Sequence, residues 1–223
     1  MLEQYNYKPM GTLAGFVNTM LMIYLTISVA SIVSSFMMID LLSTADFNDD
    51  LLQLYLQRDA VLSMVLLIIY IPTAIGFAKW IHRSNNNARA LGAISLPISP
   101  GWSVGYFFIP IMNLWKPYHA MRDISAASRN ARNWYSENSL PIVLIWWFLY
   151  LIALGVDRVG GRMWQKADTV ETLTAAAQVC MIGTLIGIPL TLAAFSMISQ
   201  ITKGIEEQSN DYEPVVPHPH PYS

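Results

Sequence analysis

Charged side chains in this sequence stand at the edges of long apolar blocks, and the gaps between them set the architecture. No charged residue occurs for 31 positions between Lys8 and Asp40, for 19 between Asp59 and Lys79, for 19 between Glu137 and Asp157, or for 31 between Glu171 and Lys203. A hydrocarbon core of ~30 Å is crossed by about 20 helical residues rising ~1.5 Å each. All four blocks reach that length. The pattern therefore predicts four membrane-spanning helices with apolar cores at about 12–39, 60–78, 140–156 and 172–202. No Asp, Glu, Lys, Arg or His falls inside these cores, whereas ion-coupled pumps and proton relays usually place an ionisable group there.

A fifth block behaves differently. Between Arg89 and Lys116 lie 26 uncharged residues, interrupted by Pro97, Pro100, Gly101, Gly105 and Pro110. Each proline removes a donor and clashes with the preceding turn, so no straight helix runs through the block. Irregular backbone at membrane depth must be satisfied by protein or water, and residues 95–115 are expected to form a broken re-entrant or interfacial segment. The fold class expected is an all-α polytopic bundle, a single membrane domain over 1–205. A Pro- and His-rich disordered tail is expected over 206–223.

Composition agrees. Of the 223 residues 13% are charged and 54% hydrophobic, against roughly 25% charged in soluble domains. Too few solvated side chains remain to cover a water-exposed surface. The net charge is −2 and the basic residues are not pooled in one patch, so nucleic acid is not an expected partner. The one cysteine, Cys180, excludes a disulfide framework and a cysteine-based zinc site. The first apolar run is too long for a cleavable signal and lacks a basic lead.

Loop charge sets orientation. With both termini cytoplasmic and the central block not crossing, nine basic residues fall inside and Arg58, Arg158, Arg162 and Lys166 fall outside. Cytoplasmic loops carry the excess of Lys and Arg. A crossing at 95–115 would leave the two sides nearly balanced. The acidic loop at 40–59, with Asp40, Asp46, Asp49, Asp50 and Asp59, fits the outer side. The expected location is a cell inner (cytoplasmic) membrane, with the lipid bilayer as partner.

The residues after the second span are distinctive. Trp80, Arg83, Asn87, Ala88 and Arg89 are followed by Ser99, Pro100, Gly101 and Trp102, then by Phe108, Pro110, Asn113, Leu114, Trp115 and Pro117. This string, over 80–128, resembles the bacterial membrane family known as domain of unknown function 4328. The flanking spans match only as generic apolar helices. The resemblance implies a membrane setting and carries no activity.

Physically, Trp80, Trp102, Trp115, Tyr106 and Tyr118 surround a short apolar stretch as residues of an aromatic belt do. Asn113 sits between Met112 and Leu114, either bonding backbone freed by the prolines or contacting a substrate or headgroup. Residues 117–135 read as an amphipathic helix. Met121, Ile124, Ala127, Ala131 and Trp134 recur at helical steps, and Arg122, Arg129 and Arg132 take other positions. Such a basic helix can lie in the interface against anionic headgroups. Candidate lipid- or ligand-binding residues are thus Trp80, Arg83, Asn87, Trp102, Asn113, Trp115, Lys116, Arg122, Arg129 and Arg132.

No catalytic residues, metal ligands or cofactors are assigned. GxSxG, HExxH and phosphate-loop motifs are missing. His82 and His119 flank the central block at unrelated spacing, and Asn85–Asn87 reads as a helix-end cluster. His218 and His220 lie in the tail, and Gly183 and Gly187 form a GxxxG packing face. Two readings of function follow. One is a non-enzymatic membrane protein that organises lipid or a partner protein, or a homo-oligomer, through a basic cytoplasmic face. The other is a small-solute transporter or channel subunit with its site at the broken segment.

Overall fold

The computed structural model describes residues 5–43 and 49–210. Asp46 of the acidic loop, and tail residues 211–223 with His218 and His220, lie outside the described residues. Among the described residues there are six α-helices: α1 (Gly11–Ser43), α2 (Asp49–Ala90), α3 (Pro100–Gly105), α4 (Lys116–Ala127), α5 (Pro141–Lys166) and α6 (Val170–Ser209). Short 3-10 turns occur at Tyr106–Phe108, Met112–Leu114 and Trp134–Ser136, and no strand occurs among the described residues. α1, α2, α5 and α6 are long and apolar enough to cross a membrane. The chain is an all-α polytopic membrane protein with a Pro-broken central segment.

The long helices overrun their apolar cores. α2 begins at Asp49 rather than near residue 60 and continues to Ala90, and α5 continues past Asp157 to Lys166. α6 runs to Ser209, so the first residues assigned to the tail are helical. Charged and amide side chains such as Gln53, Gln57 and Arg58 are good helix formers; they end a hydrophobic run without ending a helix. Pro72 and Pro189 lie inside α2 and α6. Neighbouring helices in membranes make such prolines tolerable.

The described residues form two compact units: those within 12–80 and 140–199, and those within 5–11, 81–139 and 200–210. The first, here the apolar unit, is a bundle of the four long helices. α1 meets α2 where Gly76 leaves room for Phe16 and Val17, each 3.0 Å from where a Cβ would stand. Near the other end of α1, the Ser34 hydroxyl donates to the Asp59 carboxylate and Arg58 donates to the Ser34 carbonyl at 2.8 Å. α1 meets α6 through Asn18 Nδ2, which donates to Ser199 Oγ at 3.0 Å. α2 meets α5 through the Phe77 and Trp146 rings, edge to face at 5.8 Å.

α5 meets α6 at two glycines. Cys180 Sγ lies 3.1 Å from a Cβ built on Gly160, and Asp157 Oδ1 lies 2.7 Å from one built on Gly183. Lipid tails are as apolar as leucine, so small residues and polar bonds, rather than hydrophobic burial, hold membrane helices together. Two expectations change here. Gly187 has nothing within 4 Å of its Cβ position, so only the Gly183 half of the GxxxG spacing packs a helix. Asp157, placed beyond the end of the third apolar core, belongs to a continuing α5 and lies against Gly183 inside α6. Asp157 is thus part of a helix long and apolar enough to span, exposed on the bundle surface.

The outward face of this unit is apolar. Val33, Phe36, Val61, Met64, Ile68 and Phe148 are each more than half exposed, as lipid-facing residues of a membrane bundle are.

Candidate functional site

The second unit has a polar interior, and the family-like string supplies most of it. In the last turns of α2, Ser84, Asn85, Asn87 and Arg89 are buried beside Ile81 and Ala88. Buried polar groups must be hydrogen-bonded, and here the partners are stretches of chain without regular structure. Arg89 Nε donates to Asn85 Oδ1 at 2.9 Å, and its two terminal nitrogens donate to the carbonyls of Ile94, Leu96 and Ile98 at 2.7–3.0 Å. Asn85 Nδ2 donates to the same Ile98 carbonyl at 2.9 Å. One guanidinium and one amide thus fix the loop that follows α2. That loop turns at Gly92, the one positive-φ residue described, at φ 124°. A Cβ there would also meet the Arg132 side chain at 2.9 Å.

The neighbouring amides hold a second segment. Asn87 receives the Lys8 N–H at 3.0 Å and donates to the Lys8 carbonyl at 2.7 Å, satisfying both main-chain groups of one residue. Asn86 donates to the Asn6 carbonyl at 2.8 Å and Arg83 to the Pro9 carbonyl at 3.1 Å. The Tyr5 ring lies 5.3 Å from the Arg89 guanidinium. Residues 5–9 are held as a strap by contacts mostly to backbone. The third contribution comes from the end of α6. Gln208 donates to the Ala127 and Ser128 carbonyls at 3.1 and 2.8 Å and accepts the Ala131 N–H at 2.7 Å.

The central segment presents the opposite surface. Ser99 caps α3 by accepting from the Trp102 N–H at 3.4 Å, with Pro100 at the first helical position. Beyond α3 the backbone bonds itself in short turns, with Asn113 N–H donating to the Ile109 carbonyl at 2.8 Å and Trp115 N–H to Met112 at 3.2 Å. Trp102, Phe108, Ile111, Leu114 and Trp115 are 53%, 81%, 67%, 50% and 40% exposed. Asn113 is buried among them. Five large apolar side chains thus project from a segment whose backbone is already satisfied.

α4 is shorter than its periodicity suggests. It spans Lys116–Ala127, and Arg129 and Arg132 follow it in a turn instead of extending it to 135. Pro117, Ala120, Met121, Asp123 and the run Ile124–Ala127 are buried, so the helix is enclosed by protein on most sides. Among residues 120–127 only Arg122 is exposed. Its Nε and a terminal nitrogen both donate to Asp123 Oδ1, at 2.9 and 2.7 Å. Arg129 pairs with Glu137 at 3.4 Å. A shallow cavity of about 240 Å³ opens here, lined by Arg122, Asp123, Trp134, Tyr135, Glu137 and Asn138. Lys116 stands 5.7 Å from the Tyr106 ring. Neither Lys116 nor Arg132 has an ion-pair partner among the described residues.

The ten candidate residues therefore separate. Arg83 and Asn87 are bonded to the strap, and Trp80 is fully buried in the apolar unit, stacked 5.7 Å from Phe77. Trp102, Trp115, Lys116, Arg122, Arg129 and Arg132 face outward in the polar-cored unit. Sequence reasoning did not assign roles to Asn85, Arg89 or Gln208. Three consecutive asparagines and an arginine just before a glycine turn were the available signal for the first two. His82 is exposed and the His119 ring lies 5.7 Å from Tyr118. No group of three potential metal ligands occurs among the described residues.

No curated protein and no solved structure matches this chain. The family model described as domain of unknown function (DUF4328) matches residues 43–203, most of the chain and all of the string from Trp80 to Pro117, and the protein belongs to that family.

Proposed function

We propose that the protein is a non-enzymatic constituent of a bacterial inner membrane, with both termini cytoplasmic, that organises anionic phospholipid through its polar-cored unit. The observation that supports this most is the run of exposed Trp102, Phe108, Ile111, Leu114 and Trp115, followed directly by Lys116. Amphipathic surfaces of this composition bury their apolar side chains ~5–10 Å into the headgroup boundary. Each basic residue near an anionic surface contributes about 1 kcal/mol. Among the described residues of this unit eight are basic and four acidic. Arg122 and Arg129 are partly neutralised by Asp123 and Glu137, so Lys116 and Arg132 carry the larger share of the attraction. A partner protein with an acidic juxtamembrane segment would use the same residues. Transport through the central segment has less support, because Asn113 is buried rather than open to water.

The test is native mass spectrometry of the full-length protein released from nanodiscs of mixed anionic and zwitterionic phospholipid. The expected result is selective retention of the anionic lipid, lost when Lys116 and Arg132 are both changed to Ala. Equal retention of both lipids by the unaltered protein would overturn the reading.

A further inference from the structure

The apolar unit holds a cluster that headgroup binding does not use. The Asp157 carboxyl occupies the notch that Gly183 leaves in α6, with Oδ1 2.7 Å from the built Cβ. One turn away the exchange is reversed, and Cys180 of α6 fills the notch at Gly160 of α5. The titratable groups within electrostatic reach are Cys180 of α6 and Tyr24 of α1, and Tyr24 is in turn within reach of Tyr70 of α2. The basic residues nearest in sequence, Arg158 and Arg162, form no ion pair with Asp157, and its carboxylate has no hydrogen bond among the described residues. Asp157 is itself exposed on the surface of the bundle, so apart from the notch its side chain is not enclosed by protein.

At bilayer depth the exposed side of an unpaired carboxylate faces lipid rather than water, which is costly, and an ionisable group among membrane helices marks a site by default. With no cation in contact, a proton is the counter-charge that fits the notch. We infer that Asp157 is a reversible proton-binding site within the membrane bundle, lodged at the α5–α6 contact. Loading and release of that proton change the charge at this α5–α6 contact. The site does not depend on the lipid reading, and either can fail alone.

The experiment is modification of the full-length protein in liposomes by dicyclohexylcarbodiimide, an apolar reagent that reacts with protonated carboxyls. The carboxyl oxygen bonds to the central carbon of the reagent and the acid proton passes to its nitrogen. Peptide mapping is expected to find the adduct on Asp157, declining as the pH is raised and lost in Asp157→Asn. A charged, water-soluble carbodiimide is expected to spare Asp157 and react at Asp50. Gly183→Ala, which fills the notch, is expected to change the labelling of Asp157 severalfold. No adduct on Asp157 at any pH, or equal labelling by the two reagents, overturns the proposal. The map of the unaltered protein decides the matter even if a variant does not fold.

Discussion

The apolar unit turns its large hydrophobic residues outward and joins its helices through glycine notches and a few polar bonds. The polar-cored unit does the reverse, burying asparagine, serine and arginine and leaving Trp102, Phe108 and Trp115 at its surface. The difference follows from what each must satisfy. Spanning helices satisfy their own backbone, so their side chains need only be compatible with lipid and small enough for close approach. The strap at 5–9 and the loop at 91–99 have no such ladder, and side-chain amides and a guanidinium supply their partners. Hydrophobicity locates the first unit, and hydrogen-bond accounting locates the second.

Substitutions can break this contrast. Arg89→Ala carries the largest expected effect, since it leaves the Ile94 and Leu96 carbonyls and the Asn85 amide oxygen without their donor and the Ile98 carbonyl with Asn85 alone. Each buried acceptor left without a donor costs about 1–3 kcal/mol, and three are left here. The loss should be read as rapid hydrogen exchange over 91–99 with the spanning helices still protected. Next is Ile68→Arg on the lipid-facing side of α2, where Ile68 is 63% exposed. Charge at the centre of a spanning helix costs roughly 2.5–3.5 kcal/mol of insertion, and a glycosylation-based insertion assay should register it. Ile68→Val should leave the same assay unchanged.

Asn87→Ala removes both bonds to Lys8 at about 1–2 kcal/mol. Its mark is faster exchange of the Lys8 amide without a change in the loop held by Arg89. The smallest effect is expected from Lys203→Ala, whose i,i+4 pair with Glu207 is solvent-exposed. Such pairs contribute ~0.3–0.5 kcal/mol, and the melting temperature should be nearly unchanged. If Lys203→Ala proved as damaging as Arg89→Ala, the polar interior would not be what holds the second unit.

Much of this architecture was legible in the sequence. Four charge gaps gave four spanning helices, and five Pro and Gly positions marked the broken segment. Helix ends were less legible, because charge marks where lipid compatibility stops rather than where helical backbone stops. That error hid Asp157, which the gap rule placed outside α5's apolar core. The amphipathic reading of 117–135 failed at Ala127 for a related reason: periodicity persisted through residues that fold back as a turn. Lys116 and Arg132 remain available as surface cations, whereas Arg83 and Asn87 are bonded to residues about 75–80 positions away in sequence. No local pattern could have shown that.

Those long separations have a consequence for biosynthesis. Lys8 leaves the ribosome 79 residues before Asn87, its binding partner. At ~5–20 residues per second, the strap waits about 4–16 s for a place to dock. Ala127 waits a comparable time for Gln208, 81 residues later. The polar-cored unit therefore closes only after the final helix has been translated. Until then Asn85, Asn87 and Arg89 are open hydrogen-bonding groups on a nascent chain already committed to the membrane. A chaperone or insertase that shields them would act in that interval, and a pause in translation before residue 200 would lengthen it.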